Sequence, residues 1–358
     1  MIKLEIKKLL YKNRLLLFIA IFFIFNALQI MVYVNNTSIS DYPYYRFYLN
    51  QYADCYQSCT EDIEKLNYQY THLSSLEAEN QQQYLAGGIT KEEYLECFEY
   101  LQNLKKSSNG FHIFYEQYMS AKVNNTSLID TYYWDAFVNL EGIDYLLILL
   151  IIISSVLIFN VDKNSKFSDL QKASISYINL FRAKCIIVYI ITTVVFVLFK
   201  VQKVFLLSIC YSHVGWNAPM NSVASLNNSN GELSLWQFTI YLFLIQYVGI
   251  TSFGALCAFL SLVIKKAEIA FFFENALVFL PMIILKDQVV YSTPILGPMA
   301  ALKYFYGSIE IDYGEYIEHR FNEFNYRQVL IIILISILLQ IFFVCLSRRI
   351  YQWQQKEH

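Results

Sequence analysis

Residues Met1–Arg14 read MIKLEIKKLLYKNR and residues Leu15–Val34 read LLLFIAIFFIFNALQIMVYV. The second string decides the fold. It runs 20 residues without a charge, and a hydrocarbon core about 30 Å thick needs about 20 apolar residues as a helix. The run is longer than the apolar core of a signal peptide, and no small-x-small cleavage site follows Val34, so it reads as an uncleaved signal-anchor. In the string before it, Ile2, Ile6, Leu9 and Leu10 share one helical face, with Lys3, Lys7, Lys8 and Lys12 around the other. That pattern predicts a short helix lying in the membrane interface.

Five further windows follow: Ile143–Val161, Cys185–Tyr211, Trp236–Ile264, Ala267–Leu285 and Val329–Ser347. Lys200, Gln202 and Lys203 interrupt the second of these. Its deep part is therefore expected at Cys185–Phe199, with Val201–Tyr211 as an extension and the two lysines snorkelling to headgroups. Composition agrees with a membrane chain: 358 residues are 56% hydrophobic and only 16% charged, against about 25% charged in soluble domains. A net charge of −2 argues against a nucleic-acid partner. Membrane lipid is the expected surroundings.

Basic residues set the orientation. Met1–Arg14, Asp162–Lys184, Lys265–Lys266 and Arg348–His358 hold 15 of the 27 Lys and Arg in 50 residues. Asn35–Gly142, Ser212–Leu235 and Lys286–Gln328 hold 6, 0 and 4. Both termini are thus expected in the cytoplasm of a plasma-membrane protein. The expected organisation is an elbow helix and first span at 1–34, an extracellular helical domain at 35–142, and a membrane domain with spans two to six at 143–358. The fold class is all-α.

The 108 residues Asn35–Gly142 carry 15 acidic and 6 basic side chains and are too long for a connector. Tyr45, Tyr48, Tyr52, Tyr56 and Cys59 step by three or four, and Leu66, Tyr70, Leu73 and Leu76 continue the face. The stripe reads as packing. Ala86-Gly87-Gly88 breaks the helix, and Thr90 with Glu93 has capping-box spacing for a second. Ser107-Ser108-Asn109-Gly110 predicts another break before a third stretch, Phe111–Lys122. A simple hairpin at Gly87-Gly88 does not bring Cys59 to Cys97, and an outer disulfide stays an open alternative.

The sequence has no phosphate-binding Gly-x4-Gly-Lys-Ser/Thr loop, no His-Glu-x2-His pair and no Gly-x-Ser-x-Gly elbow. No catalytic residue, metal site or bound cofactor is expected on this chain. What remains is polar residues at membrane depth. Glu274, with Asn275, sits about two turns into the fifth window, where a charge costs roughly 2.5–3.5 kcal/mol on insertion scales. It either lines a pathway, ties neighbouring helices, or pairs with Lys265 or Lys266. Asn26, Gln29, Gln246 and Gln340 read as interhelical hydrogen-bonders.

The inner loop Asp162–Lys184 is polar and studded with apolar contact points. A short helix there would dock on another protein beneath the membrane. The stretch Phe167-Ser168-Asp169-Leu170-Gln171-Lys172-Ala173-Ser174-Ile175-Ser176, then Leu180-Phe181-Arg182-Ala183-Lys184, resembles the coupling loop of permease subunits of the ABC type-2 membrane family, an ABCG-like exporter fold. The basic elbow helix and six spans resemble that family too. So does Ser292-Thr293-Pro294-Ile295-Leu296-Gly297-Pro298-Met299, which is similar to its partly re-entrant segment between spans five and six. The loop lacks the family's frequent Gly and Pro. The resemblance implies a separate ATPase subunit, carrying ATP and Mg, docked on Phe167, Asp169, Leu170, Lys172, Ile175, Arg182 and Lys184. It also implies a second permease copy or paralogue and export of a hydrophobic or cationic peptide, antibiotic or lipid-like compound. The other reading is a membrane receptor or assembly factor whose ectodomain binds a ligand or partner.

Overall fold

A computed structural model of the chain describes residues 6–7, 9–10, 14–37, 42–124, 126–160, 177–223, 226, 233–264, 266–284, 293–305, 310–312, 317–319 and 326–353. These residues are overwhelmingly helical. The helices are α1 (Leu15–Thr37), α2 (Tyr42–Tyr52), α3 (Thr60–Thr71), α4 (Leu73–Leu85), α5 (Lys91–Asn124), α6 (Thr131–Leu140), α7 (Tyr145–Phe159), α8 (Tyr177–Cys210), α9 (Leu235–Val263), α10 (Ala267–Ile284), α11 (Leu296–Met299) and α12 (Tyr326–Trp353). A small antiparallel pair, β1 (Glu310–Asp312) with β2 (Ile317–His319), aligns Ile311 with Glu318.

Five stretches are long and apolar enough to cross a bilayer: Leu15–Asn36, Thr131–Phe159, Asn179–Cys210, Leu235–Val263 and Val329–Gln352. Several apolar helices of this length are compatible with a multi-pass membrane protein. The expected fifth window forms the 18-residue α10, which is not among the five. It carries Glu268, Glu274 and Pro281 and spans about 27 Å at 1.5 Å per residue.

α9 is the hub, packing against α7, α8, α10, α11 and α12. Its inner faces are small: Gly249, Thr251, Ser252, Gly254, Ala255, Cys257, Ala258 and Ser261 are all buried. Small residues let helix backbones approach where lipid offers no hydrophobic driving force. A Cβ added at Gly249 would stand 2.8 Å from the Met299 nitrogen and 2.9 Å from Pro298 Cβ, and one at Gly254 would stand 3.2 Å from Thr192 Oγ1. By contrast, α1 and α12 leave broad apolar faces uncovered, including Ile24, Phe25 and Leu28 on α1 and Leu334, Leu338 and Phe342 on α12. Ahead of α1, Leu9 is buried in the bundle core with Ile6 and Leu10 packed on it, while Lys7 is exposed.

The helical insert between α1 and α6 is organised by its aromatic stripe. Tyr45, Tyr48 and Tyr52 are buried on α2, against Phe111, Phe114 and Tyr118 of α5. Tyr48 meets Phe111 edge-on at 5.1 Å, and Phe111 stacks on Tyr70 at 4.2 Å. The stripe is therefore a packing face. The capping box at Thr90 and Glu93 also forms: the Thr90 amide donates to Glu93 Oε2 (2.8 Å) and the Glu93 amide to Thr90 Oγ1 (3.3 Å).

Two expected features differ. The predicted break at Ser107–Gly110 is absent, and α5 runs straight through it. Ser107 is buried, and its hydroxyl bonds the Asn103 and Leu104 carbonyls and shares a hydrogen bond with Tyr70 (2.8 Å), so packing overrides the weak propensity of these residues. The first expected helix is instead three, with α2 ending at a turn over residues 53–59.

The insert is continuous with the bundle. One core cluster joins Tyr42, Tyr45 and Phe114 of the insert to Tyr133, Trp134 and Phe137 of α6, Leu207 of α8 and Phe238 of α9. Asp130 stitches them together. Its Oδ1 caps α6 by accepting from the Tyr132 (3.0 Å) and Tyr133 (3.4 Å) amides, and its Oδ2 accepts from Tyr42 OH (2.8 Å) and the Ser212 amide (3.1 Å). Burial pushes this carboxyl's pKa up, and those four donors oppose the rise.

Candidate functional site

The bundle's polar side chains come together at the break between α6 and α7. Residues 141–144 separate the two helices, and Asp144 restarts the chain by accepting from the Leu147 amide at 3.1 Å. Glu141 is completely buried there. Its Oε2 accepts from Lys200 Nζ (2.5 Å) and Gln246 Nε2 (3.0 Å), and its Oε1 pairs with Lys203 Nζ at 3.0 Å. Lys203 also donates to the Leu140 carbonyl (2.7 Å), one of the acceptors left at the end of α6. Lys200 lies over the rings of Phe243 (5.2 Å) and Phe196 (5.8 Å), which offer a cation their π faces.

This arrangement corrects the expectation that Lys200 and Lys203 snorkel outward: each is only 4% exposed. The reason is the partner. A spacing of three puts both ammonium groups on one face of α8, and that face meets Glu141. Sequence reasoning placed Glu141 at the edge of the insert and gave it no role. The available signal was two lysines inside an apolar run with an acidic residue heading another. Bringing charges out of water costs several kcal/mol per ion and is recovered only by close pairing.

Beside the cluster lies a cleft of about 60 Å³, lined by Asn26, Gln29, Ile30, Leu140, Asp144, Tyr145 and Lys203 among others. A polar space of this size admits a small number of waters. Asn26 is buried and donates to Gln202 Oε1 (2.8 Å), while Gln202 donates to the Phe23 carbonyl (2.9 Å). That pair ties α1 to α8. Gln29 is exposed at the cleft mouth. Gln340 donates to Tyr189 OH (2.6 Å), tying α12 to α8.

Glu274 lies apart from this cluster, on α10 against α9. It is fully buried, with Oε1 accepting from Ser261 (2.7 Å) and the Cys257 thiol of α9 also hydrogen-bonded to the carboxyl group. Both ties are interhelical, joining α10 to α9. Asn275 turns back on its own helix, donating to the Phe271 carbonyl at 2.7 Å. Of the expected docking-loop residues, Arg182 is exposed on the first turns of α8, and Lys184 is buried with its ammonium 5.8 Å from the Phe159 ring. Phe167, Asp169, Leu170, Lys172 and Ile175 lie outside the described residues.

The stretch expected to be re-entrant is described from Thr293 onward. Its α11 is buried, seated on Gly249 of α9. Ser336 of α12 donates to the Pro294 carbonyl, and Ser252 of α9 donates to the Ser336 carbonyl (3.0 Å). Among the described residues, no group of three His, Cys, Asp or Glu side chains is placed to hold a metal ion.

The fold and this interior together define a class: a bundle of apolar helices, compatible with a multi-pass membrane protein, with a buried ionic cluster and a helical insert. No family model, curated protein or solved structure matches the chain.

Proposed function

We propose that this chain is the permease subunit of an ATP-driven exporter of the ABC type-2 membrane kind. In this reading α10 is the fifth of six spans, both termini are cytoplasmic and the insert is extracellular. The observation that carries the proposal is the short buried α11, folded against Gly249 of the central helix between α10 and α12. That is the position of the re-entrant element to which the sequence is similar. Leu9 packed into the bundle with Lys7 exposed supports an elbow helix in the interface.

Transport then works as follows. ATP and Mg are held by a separate ATPase subunit, and this chain hydrolyses nothing itself. The ATPase docks on the inner loop that includes Phe167, Asp169, Leu170, Lys172 and Ile175, and on the exposed Arg182 at the start of α8, while Lys184, buried on Phe159, ties that start to α7. Motion enters the bundle along α8, which carries Lys200, Lys203 and Gln202 to the α6–α7 break, α9 and α1. A second permease copy or paralogue completes the pathway. The cargo is a hydrophobic or cationic peptide, antibiotic or lipid-like compound, drawn by the insert's acidic surface. Electrostatic attraction of this kind speeds encounter more than it fixes identity.

The test is ATP-dependent efflux by the chain reconstituted with its ATPase, with the segment between Asp162 and Lys184 shortened as the control. Efflux lost on shortening supports the coupling role, and unchanged efflux overturns it.

The second reading is a receptor or assembly factor. It is favoured by apolar side chains standing in solvent near the α4–α5 turn, with Leu85 76% and Leu95 50% exposed. Ligand binding by the full chain that persists without any ATPase, together with an absence of efflux, would select it.

A further inference from the structure

The turn that ends α2 contains two cysteines four residues apart. Cys59 N donates to the Cys55 carbonyl at 2.8 Å, closing one helical turn, and the two Sγ atoms stand 2.6 Å apart. Non-bonded heavy atoms rest at about 3.5–4.0 Å, whereas a disulfide bond is about 2.0 Å long. The sulfurs are thus held well inside contact distance. Both residues are partly exposed and accessible to a reagent. The turn itself is anchored: Tyr56, between them, donates its hydroxyl to the Thr126 carbonyl (2.7 Å), and its ring packs edge-on to Tyr118 at 6.5 Å. The Cys55 amide donates to the Tyr52 carbonyl (3.1 Å) and the Ser58 amide to the Cys55 carbonyl (2.9 Å), so the backbone of the turn is fixed around the pair.

We propose that Cys55 and Cys59 are a modification site, joined as a disulfide that locks the α2–α3 corner, whose Tyr56 rests on the end of α5. The proposal rests on the outward placement of the insert, since disulfides form and persist outside the reducing cytoplasm. The co-reactant is a disulfide donor. One cysteine thiolate attacks the donor's disulfide and releases one donor thiol. The second cysteine then attacks the mixed disulfide and releases the other. One sulfur–sulfur bond forms here and one breaks in the donor. Cys55 and Cys59 lose two electrons between them, the donor gains two, and two protons pass to the donor thiols. Cys97 on α5 takes no part. The staple holds Tyr56 over Thr126, four residues before Asp130 caps α6, and so fixes the insert where it meets the bundle.

The measurement uses the full-length chain in its native membrane. Free thiols are alkylated without reductant and the protein is cut with trypsin. Cleavage after Arg46 and Lys65 leaves both cysteines in the single peptide Phe47–Lys65. The expected result is a peptide lighter by two hydrogens that carries no alkyl group and gains two after reduction. A parallel sample carrying Leu85→Cys, at a position 76% exposed, is treated in intact cells with an impermeant maleimide to report the side of the insert. A peptide already alkylated before reduction, with Leu85→Cys labelled from outside, overturns the staple and leaves the orientation standing. Labelling of Leu85→Cys only after lysis overturns the orientation and the proposal with it. A linkage from either cysteine to Cys97 or to another chain overturns the proposal as well.

Discussion

At Glu141 one carboxylate faces two ammonium groups, and no helix in the bundle holds more than part of the set. Glu141 comes from the α6–α7 break, Lys200 and Lys203 from α8, and Gln246 from α9. Removing the charge leaves two buried cations uncompensated. Glu141→Gln is therefore expected to cost about 3–5 kcal/mol, the range seen on breaking one side of a buried pair, read as a loss of thermal stability in detergent. Adding Lys200→Met to Glu141→Gln is expected to recover part of that loss, because the two changes act on one network. A purely additive double variant would mean that the pair is not coupled. Gly249 gives a second prediction. A methyl group there meets the Met299 nitrogen at 2.8 Å, so Gly249→Ala is expected to cost about 1–3 kcal/mol by overpacking. The same change at Gly142, where an added Cβ meets nothing within 4 Å, is the matched control and is expected to cost less.

Elements show how local rules and packing divided the work. The α5 start was legible because Thr90 and Glu93 answer each other across one turn, and chain-local chemistry of this kind does not depend on the rest of the fold. Thr90→Ala is expected to destabilise the α5 start by about 1 kcal/mol. Hydrogen bonds from Thr90 hold the Glu93 carboxyl below its ordinary pKa. The linkage sign follows: the contribution is present above the ordinary glutamate range and is lost as pH falls through the lowered value. Helical circular dichroism of the insert is expected to fall on acidification in the wild type, and Glu93→Gln, which keeps an acceptor, is expected to remove that step. A step of unchanged size in Glu93→Gln would assign it elsewhere. The Ser107–Gly110 stretch was misread for the opposite reason. Four weak helix formers predict a stop, but the stop is cancelled by Tyr70 and the buried face of α5, which are distant in sequence. The onset of α6 was hidden similarly. A hydropathy window stops at Glu141 and Asp144, and only the lysines of α8 and the amide of Leu147 show that these acids are accommodated in the bundle.

At the scale of the whole molecule, apolar runs of adequate length were plain in the sequence, as was a helical insert with a tyrosine packing face. The buried ionic cluster was not, because it is made by residues 59 and 105 positions apart in the chain. The sequence offered Asn26 and Gln340 as interhelical ties, and both make them. Each links α8 to a helix with a large uncovered apolar face, α1 or α12. Asn26→Leu is expected to weaken α1 docking by about 0.6–2 kcal/mol, the range of hydrogen bonds between membrane helices, measured as a lowered unfolding midpoint in mixed micelles.

The central claim is that this chain is the membrane half of a machine driven by another subunit. The most direct measurement is isolation of the tagged full-length protein from its native membrane in mild detergent, followed by identification of the chains that accompany it. The account predicts a stoichiometric partner bearing a phosphate-binding Gly-rich loop, lost when the segment between Asp162 and Lys184 is shortened. A chain that purifies without such a partner, yet moves cargo across liposomes with no nucleotide present, would contradict it.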